Sequence, residues 1–336
     1  MRPGDEIFLA PQADGGEGTL DAIQSAVPDS IRHKIGLVTG PDRRPTPGEW
    51  LELPGKIGVV ELAHSSGLPL MDSPDAMNAT TRGLGEVIGA ALDGGIESLI
   101  IGVGGSASTD GGAGALSALG LKFHDIYGQA VPDGGEGLLQ FTEIDRRDMR
   151  SAPKGGVTVL TDVLSPLLGE NGAAAIFGPQ KGATLTQVAT LELALKHFSD
   201  LLGGNSELPG SGAAGGAAYG FATIWNAKIE SGADYISNLT NLPLRMQISD
   251  LLITGEGSFD AQSLSGKVVG QLLNMAEKFN LRSAVIAGQI KVESGIWQSS
   301  LEEMAGSIAA ALENPAHWLA LVGAKAAHEL GPQLTR

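Results

Sequence analysis

Short apolar runs recur along the chain, and several stop at a glycine or an aspartate: Ile7 to Ala10, Lys34 to Val38, Ile57 to Val60, Ser98 to Val103, Val157 to Asp162, Asp250 to Gly255 and Ser283 to Gly288. Within each run the apolar residues are largely continuous rather than alternating, which marks strands covered on both faces, as in a parallel sheet. Helical spacing fills the gaps, at Thr81 to Leu92, Thr184 to Leu202, Ser263 to Phe279 and Leu301 to Leu330, the last interrupted near Pro315. This alternation predicts an α/β fold. In open α/β sheets the ligand crevice lies outside the carboxyl ends of the strands, so the residues that end the runs are expected on one surface.

Two regions depart from the β–α rhythm. Residues 40–62 carry proline-rich turns between short strands, and residues 203–220 read as a glycine-rich loop with little periodicity. Both are expected as seams between lobes.

Composition narrows the possibilities. With 42% hydrophobic but only 4% aromatic residues among 336, the core must be built from Ala, Val, Leu and Ile, and the 49 glycines lie in clusters where backbone passes close to something. A net charge of −16 argues against nucleic acid as a partner, and suits a soluble enzyme that meets an anionic substrate as a metal complex. The absence of cysteine excludes disulfides, thiolate metal sites and thiol catalysis. No apolar segment approaches the roughly eighteen residues of a membrane span, and Met1 to Glu6 lacks the order of a signal peptide, so a cytoplasmic location without membrane contact is expected.

Several segments carry candidate chemistry. Gly102 to Ala107 fits a G-x-G-x-x-[G/A] fingerprint, with Gly104 and Gly105 beside a bound phosphate and Asp125 ending a possible next strand, which allows a nicotinamide-dependent oxidoreductase. The short helix behind it, containing Gly112 and Gly114, and the carboxylate of Asp110 both count against that reading. In Ala13 to Thr19, Asp14 and Glu17 among three glycines suit a hydrated Mg²⁺ or a substrate hydroxyl; alternatively Asp14 caps the following helix and Glu17 complements its dipole. Asp250 to Lys267 delivers Glu256 and Asp260 to the end of a buried strand with Lys267 near in sequence, a set suited to phosphoryl transfer or, more plainly, to a solvated ion pair. Lys181 lies in a glycine-flanked turn compatible with phosphate, although no Walker A loop occurs in the chain. The six histidines show no pair at metal-ligand spacing, and His64 alone is placed to reach the crevice.

Taken in order, these segments resemble the type 1 glycerate kinases. The matching stretches are ADGGEGT at 13–19, ELAHSSGL at 61–68, TTRGLGEVI at 80–88, GVGGSASTDGGAGALSALG from 102, TDVLSPLLGENGAAAIFGPQKGAT at 161–184, GSGAAGG at 210–216 and DLLITGEGSFDAQSLSGK at 250–267. The resemblance implies transfer of the γ-phosphoryl of ATP, with Mg²⁺, to a hydroxyl of D-glycerate, giving 2-phosphoglycerate. It also implies two α/β lobes with a cleft between them: a Rossmann-like parallel-sheet lobe of residues 1–40 and 232–336, and an inserted lobe of residues 41–231. By the same resemblance Asp14, Glu17, Ser106 and Asp110 bind substrate, Gly104, Gly105 and Lys181 bind the nucleotide, Asp14 and Asp260 hold the metal, and Glu256, Asp260 and Lys267 stand at the reacting centre. A monomer or homodimer is expected.

The chain departs from the family pattern at its start. Family members begin with a strand, a Pro-Asp-Ser-Phe-Lys-Gly-like loop and a helix, whereas here Met1 falls about where that helix ends. The expectation is a true start upstream of Met1, the alternative being an inactive shortened copy.

Overall fold

The computed structural model describes residues 4–264 and 268–331. The chain divides into two units, a larger one of residues 11–236 and a smaller one in which residues 4–10 join residues from 237 onward. The larger unit contains, in chain order, strands β1 (Ile31–Thr39), β2 (Pro45–Leu53), β3 (Ile57–Glu61), β4 (Ser98–Gly102), β5 (Lys122–His124), β6 (Glu143–Asp145), β7 (Val157–Leu160) and β8 (Lys228–Glu230). Its helices are α1 (Thr19–Ala26), α2 (Leu62–Ser66), α3 (Arg82–Asp93), α4 (Ala113–Ala118), α5 (Ala173–Phe177), α6 (Leu185–Leu202), α7 (Ala213–Trp225) and α8 (Gly232–Leu239), whose last residues belong to the smaller unit.

The main sheet has the order β1-β2-β3-β4-β7-β8. The pairs β1–β2 and β2–β3 are antiparallel, and every pair from β3 to β8 is parallel. Strands β3 and β4 are sealed on both faces, with Val59, Val60, Leu99, Ile100 and Ile101 all buried, which is why their sequences do not alternate. Leu84, Val87, Ile88 and Ala91 of α3 and Leu116 of α4 lie in the same unit's core. Burying each large aliphatic side chain there contributes about 1.5–3 kcal/mol. Helix α6 starts where its sequence says it should: Thr184 and Gln187 form a reciprocal capping box.

The smaller unit contains α9 (Leu242–Gln247), β9 (Leu251–Thr254), β10 (Ser258–Phe259), α10 (Ala261–Leu264), α11 (Val268–Lys278), β11 (Arg282–Ala287), β12 (Gln289–Ile290) and β13 (Trp297–Ser300), followed by α12 (Leu301–Ala305), α13 (Ile308–Glu313) and α14 (Pro315–Glu329). A parallel sheet of order β13-β11-β9 sits beside a parallel β10–β12 pair.

The structure corrects several expectations. Residues 7–10 form no strand; Ile7 and Leu9 are exposed and Phe8 lies beneath the Arg245 guanidinium, 4.8 Å from its ring centre. The stretch read as a loop at 203–220 becomes helical from Ala213, with left-handed turns at Ala214, Gly215 and Gly216. Nearly all of α7 is buried, so it has no polar face to reveal its period. Residues 11–40, expected with the Rossmann-like lobe, fall in the larger unit because β1 pairs along its length with β2. The C-terminal stretch breaks at Gly306, which takes a left-handed turn, as well as at Asn314–Pro315.

Candidate active site

Four parallel strands of the larger unit, β3, β4, β7 and β8, end at Glu61, Gly102, Leu160 and Glu230, and several of the candidate residues lie in the segments that follow them. The loop of residues 13–19 lies against two of these ends. The Gly104 N–H donates to the Gly15 carbonyl at 2.9 Å, and the Val103 N–H donates to the Leu160 carbonyl at 3.2 Å. A Cβ at Gly104 would stand 2.4 Å from Gly16 Cα, and one at Gly15 would stand 2.4 Å from the Leu160 oxygen. Glycine is required here because three backbones touch. The Gly104 amide, expected on a phosphate, is therefore already occupied, and the Glu17 carboxylate lies over Gly105.

Asp14 is exposed, and its Oδ1 accepts the Gly16 N–H at 3.0 Å. It does not cap α1. That job falls to Glu61, at the end of β3, whose carboxylate accepts the N–H groups of Gly18 at 3.1 Å and Leu20 at 2.9 Å. Burial pushes the Glu61 carboxyl up, while the Leu20 N–H, the neighbouring His64 and the Gly18 N–H draw it back. His64 sits between carboxylates, its Nδ1 3.0 Å from Glu49 and its Nε2 3.8 Å from Glu61. Sequence reasoning passed over Glu61, because a capping acid more than forty positions from its helix leaves no local pattern.

Asp162, just beyond β7, was expected on the ligand surface as the end of an apolar run but was given no role there. Its Oδ1 accepts from the Ser231 hydroxyl at 2.9 Å and the Ala233 N–H at 3.4 Å, whereas its buried Oδ2 has no hydrogen-bond partner among the described residues. Burial pushes the Asp162 carboxyl up, the bonds from Ser231 and Ala233 pull it down, and the charge of Asp14 pushes it up again. Two carboxylates, one exposed and one with an oxygen unpartnered among the described residues, thus lie near each other at the carboxyl end of the sheet. Among the described residues no group of three or more His, Asp or Glu side chains is arranged to hold a metal ion. A pair of hard oxygen donors suits Mg²⁺, which keeps several waters and takes one or two carboxylates plus substrate phosphates.

Ser106, Asp110 and Lys181 come together, but not as three open ligands. Asp110 is fully buried, and its carboxylate accepts from the Thr81 N–H at 2.9 Å, the Thr81 hydroxyl at 2.8 Å, the Gly112 N–H at 3.1 Å and the Gly114 N–H at 3.3 Å. It ties the start of α3 to the turn before α4. Burial pushes this carboxyl up and the bonds from Thr81 and Gly112 oppose that. Lys181 is 2% exposed and donates to Ser106 Oγ at 2.8 Å and to the Ser108 carbonyl at 2.5 Å. Burial holds its amine down at about 7, against the attraction of Asp110.

In the smaller unit Glu256 follows β9, with its Oε1 buried and without a hydrogen-bond partner among the described residues. Asp260 begins α10, its Oδ1 accepting the N–H groups of Gln262 at 2.8 Å and Ser263 at 3.2 Å. Lys267 lies outside the described residues.

The fingerprint reading fails on topology. A dinucleotide fold needs the strand after the glycine turn and its helix to join the same parallel sheet. Strand β5, which follows α4, pairs with β6 in a separate antiparallel ribbon, and β4 is flanked by β3 and β7.

Comparison with known proteins gives the lineage. The sequence profile of the Glycerate kinase family matches residues 1–330. The chain belongs to the glycerate kinase family. It is 37% identical over 303 residues to Glycerate 2-kinase of Escherichia coli strain K12, covering 88% of this chain and 79% of that protein. It is 38% identical over 312 residues to Glycerate kinase of Bacillus subtilis strain 168, covering 90% of this chain and 81% of that one. The crystal structure of putative glycerate kinase 2 from Salmonella typhimurium LT2 superimposes with a TM-score of 0.76 at 30% identity, over 96% of this chain and 91% of the other. As a glycerate kinase family member the chain is a kinase with a two-lobe α/β fold, and no helix among the described residues is long and apolar enough to cross a membrane.

Proposed function

We propose that the protein transfers the γ-phosphoryl group of ATP to a hydroxyl of D-glycerate, giving 2-phosphoglycerate, in the cytoplasm and as a monomer or homodimer. The observation that carries this reading is the set of four parallel carboxyl ends in the larger unit, which gathers Asp14, Glu17, Ser106 and Asp162 on the face where such sheets bind ligands. The names of the relatives support the acceptor, and the name of the Escherichia coli relative supports the 2-position.

Asp14 and Asp162 are the residues that would hold Mg²⁺, since the Asp162 Oδ2 has no donor among the described residues and the Asp14 carboxylate is exposed. Bound there, the ion would offset the negative charge of the transferred phosphoryl group. Glu17, exposed above Gly105, is assigned to the substrate hydroxyls. Asp110 acts through the architecture, by fixing the loop that carries Ser106. In the smaller unit we assign the charged chemistry to Glu256 and Asp260.

The test is release of ADP from ATP and Mg²⁺ on addition of D-glycerate, with the product identified by its ³¹P–¹H coupling. Release that does not depend on D-glycerate, or a 3-phosphoglycerate product, would overturn the reading. Asp162→Asn and Asp260→Asn keep an oxygen for the existing backbone bonds, so folding should persist while turnover falls about 10²-fold or more. Wild-type turnover in either variant would remove that residue from the mechanism.

A further inference from the structure

Lys181 has a hydrogen-bond arrangement that can serve a neutral amine as well as an ammonium. It is enclosed at 2% exposure, and its recorded partners are one carbonyl oxygen, Ser108 O, and one hydroxyl, Ser106 Oγ. An ammonium has three N–H donors and no lone pair, whereas a neutral amine has two N–H donors and a lone pair, and so can use an acceptor and a donor at once. The site offers both: the carbonyl of Ser108 accepts, and the hydroxyl of Ser106 can turn its proton toward the nitrogen. Ser106 is the outer member, at 8% exposure, and its backbone is fixed by a bridge to Gly67 and by the bond from the Ala107 N–H to the Ser66 carbonyl at 3.0 Å. Among the described residues Ser106 is the side chain hydrogen-bonded to the Lys181 amine.

We infer that Ser106 and Lys181 form a proton relay for the acceptor hydroxyl, with Ser106 as the catalytic group that touches it and Lys181 as the enclosed base. This rests on the kinase reading. The acceptor hydroxyl gives its proton to Ser106 Oγ while Ser106 gives its own to Lys181 Nζ. The oxygen's electron pair forms the new bond to the γ-phosphorus, the bond from that phosphorus to the β,γ-bridging oxygen breaks, and ADP departs. After the products leave, Lys181, now an ammonium, passes this proton through Ser106 to solvent water, which resets the pair.

The electrostatics permit both states. Asp110 is the charged side chain that attracts the Lys181 ammonium, and the hydrogen-bond partners Ser106 and Ser108 are neutral. Burial keeps the amine near neutrality at physiological pH, and Asp110 moderates the cost of the ammonium formed during turnover.

Two measurements test the relay. In the first, kcat for D-glycerate phosphorylation is followed from pH 5.5 to 9 in wild type, Ser106→Ala, Ser106→Thr and Lys181→Arg. The wild type should lose activity below about pH 7, Ser106→Ala should lose about 10²–10⁴-fold in kcat together with that acid limb while KM for glycerate stays within about threefold, and Ser106→Thr should restore the limb. Lys181→Arg, which cannot give up its proton, should match Ser106→Ala. An acid limb that persists in Ser106→Ala at near wild-type kcat overturns the relay.

The second measurement needs no turnover: the ¹³Cε shift of Lys181 in protein labelled at lysine, assigned through its loss in Lys181→Arg, is titrated with and without Ser106→Ala. Titration near pH 7 that moves in Ser106→Ala supports the relay. A Lys181 signal that stays protonated to pH 9, or does not respond to Ser106→Ala, overturns it even if wild-type turnover on glycerate fails and refutes the kinase reading separately.

Discussion

Replacing Lys181 with methionine removes an amine that folding carries from water into an almost sealed site. The ordinary value of 10.5 falls to about 7 on folding. Between those values the unfolded chain binds a proton that the folded protein has shed, so stability rises with pH across that window and the penalty is complete below about pH 7. For one group the difference costs about 4 kcal/mol of stability at pH 7 and about 1 kcal/mol at pH 10. Methionine carries no such penalty; the loss of the bonds to Ser106 and Ser108 adds an offset that is nearly independent of pH. Urea unfolding of both proteins at pH 7, 8, 9 and 10 should show the wild type gaining on Lys181→Met by about 3 kcal/mol over that range. Taking the difference between the two curves cancels the other titrating groups. Stability curves that run parallel within about 0.5 kcal/mol would refute the reasoning, because they would mean that the amine keeps its ordinary proton affinity inside the fold.

Two further substitutions probe the loops around the site. Glu61→Ala strips the Gly18 and Leu20 N–H groups of a buried charged acceptor, and should cost about 3 kcal/mol in urea unfolding while amide exchange at the start of α1 speeds up; unchanged exchange would mean that another group caps the helix. Gly104→Ala drives a Cβ to 2.4 Å from Gly16 Cα, a backbone atom that cannot rotate away, and should cost about 2–3 kcal/mol or more and raise KM for glycerate. Gly323→Ala is the contrast, since nothing lies within 4 Å of its new Cβ in α14; a gain of up to about 1 kcal/mol is expected, and equal losses in the two variants would rule out the close approach as the cause.

The family was legible in the sequence because its motifs are runs of glycine, acid and hydroxyl whose order needs no coordinates. The strands at Ile57, Ser98, Val157, Asp250 and Ser283 were legible too, since continuous apolar runs of that length read as strands in a β–α alternation. Helix α7 was not, because a helix buried on every side has no polar face, and its three left-handed residues mimic a loop. The run at Ile7 to Ala10 misled for the converse reason: apolar residues make a strand only when a neighbouring strand supplies hydrogen bonds.

The site divides along the same line. Sequence alone determined which residue types are candidates for the site, because carboxylates, a lysine and glycine loops are written in the chain in order. Only the tertiary structure decided what each of them touches. Asp110, read as a substrate ligand, spends its carboxylate on four internal donors, and Asp14, read as a possible cap, leaves that task to Glu61. Asp162 and the Ser106–Lys181 pair emerged only once distant segments met: Ser106 and Lys181 are 75 positions apart but 2.8 Å apart in space. Burial, charge proximity and hydrogen-bond saturation are properties of the packed neighbourhood, and they set whether a given acid or amine holds a loop, a metal or a proton.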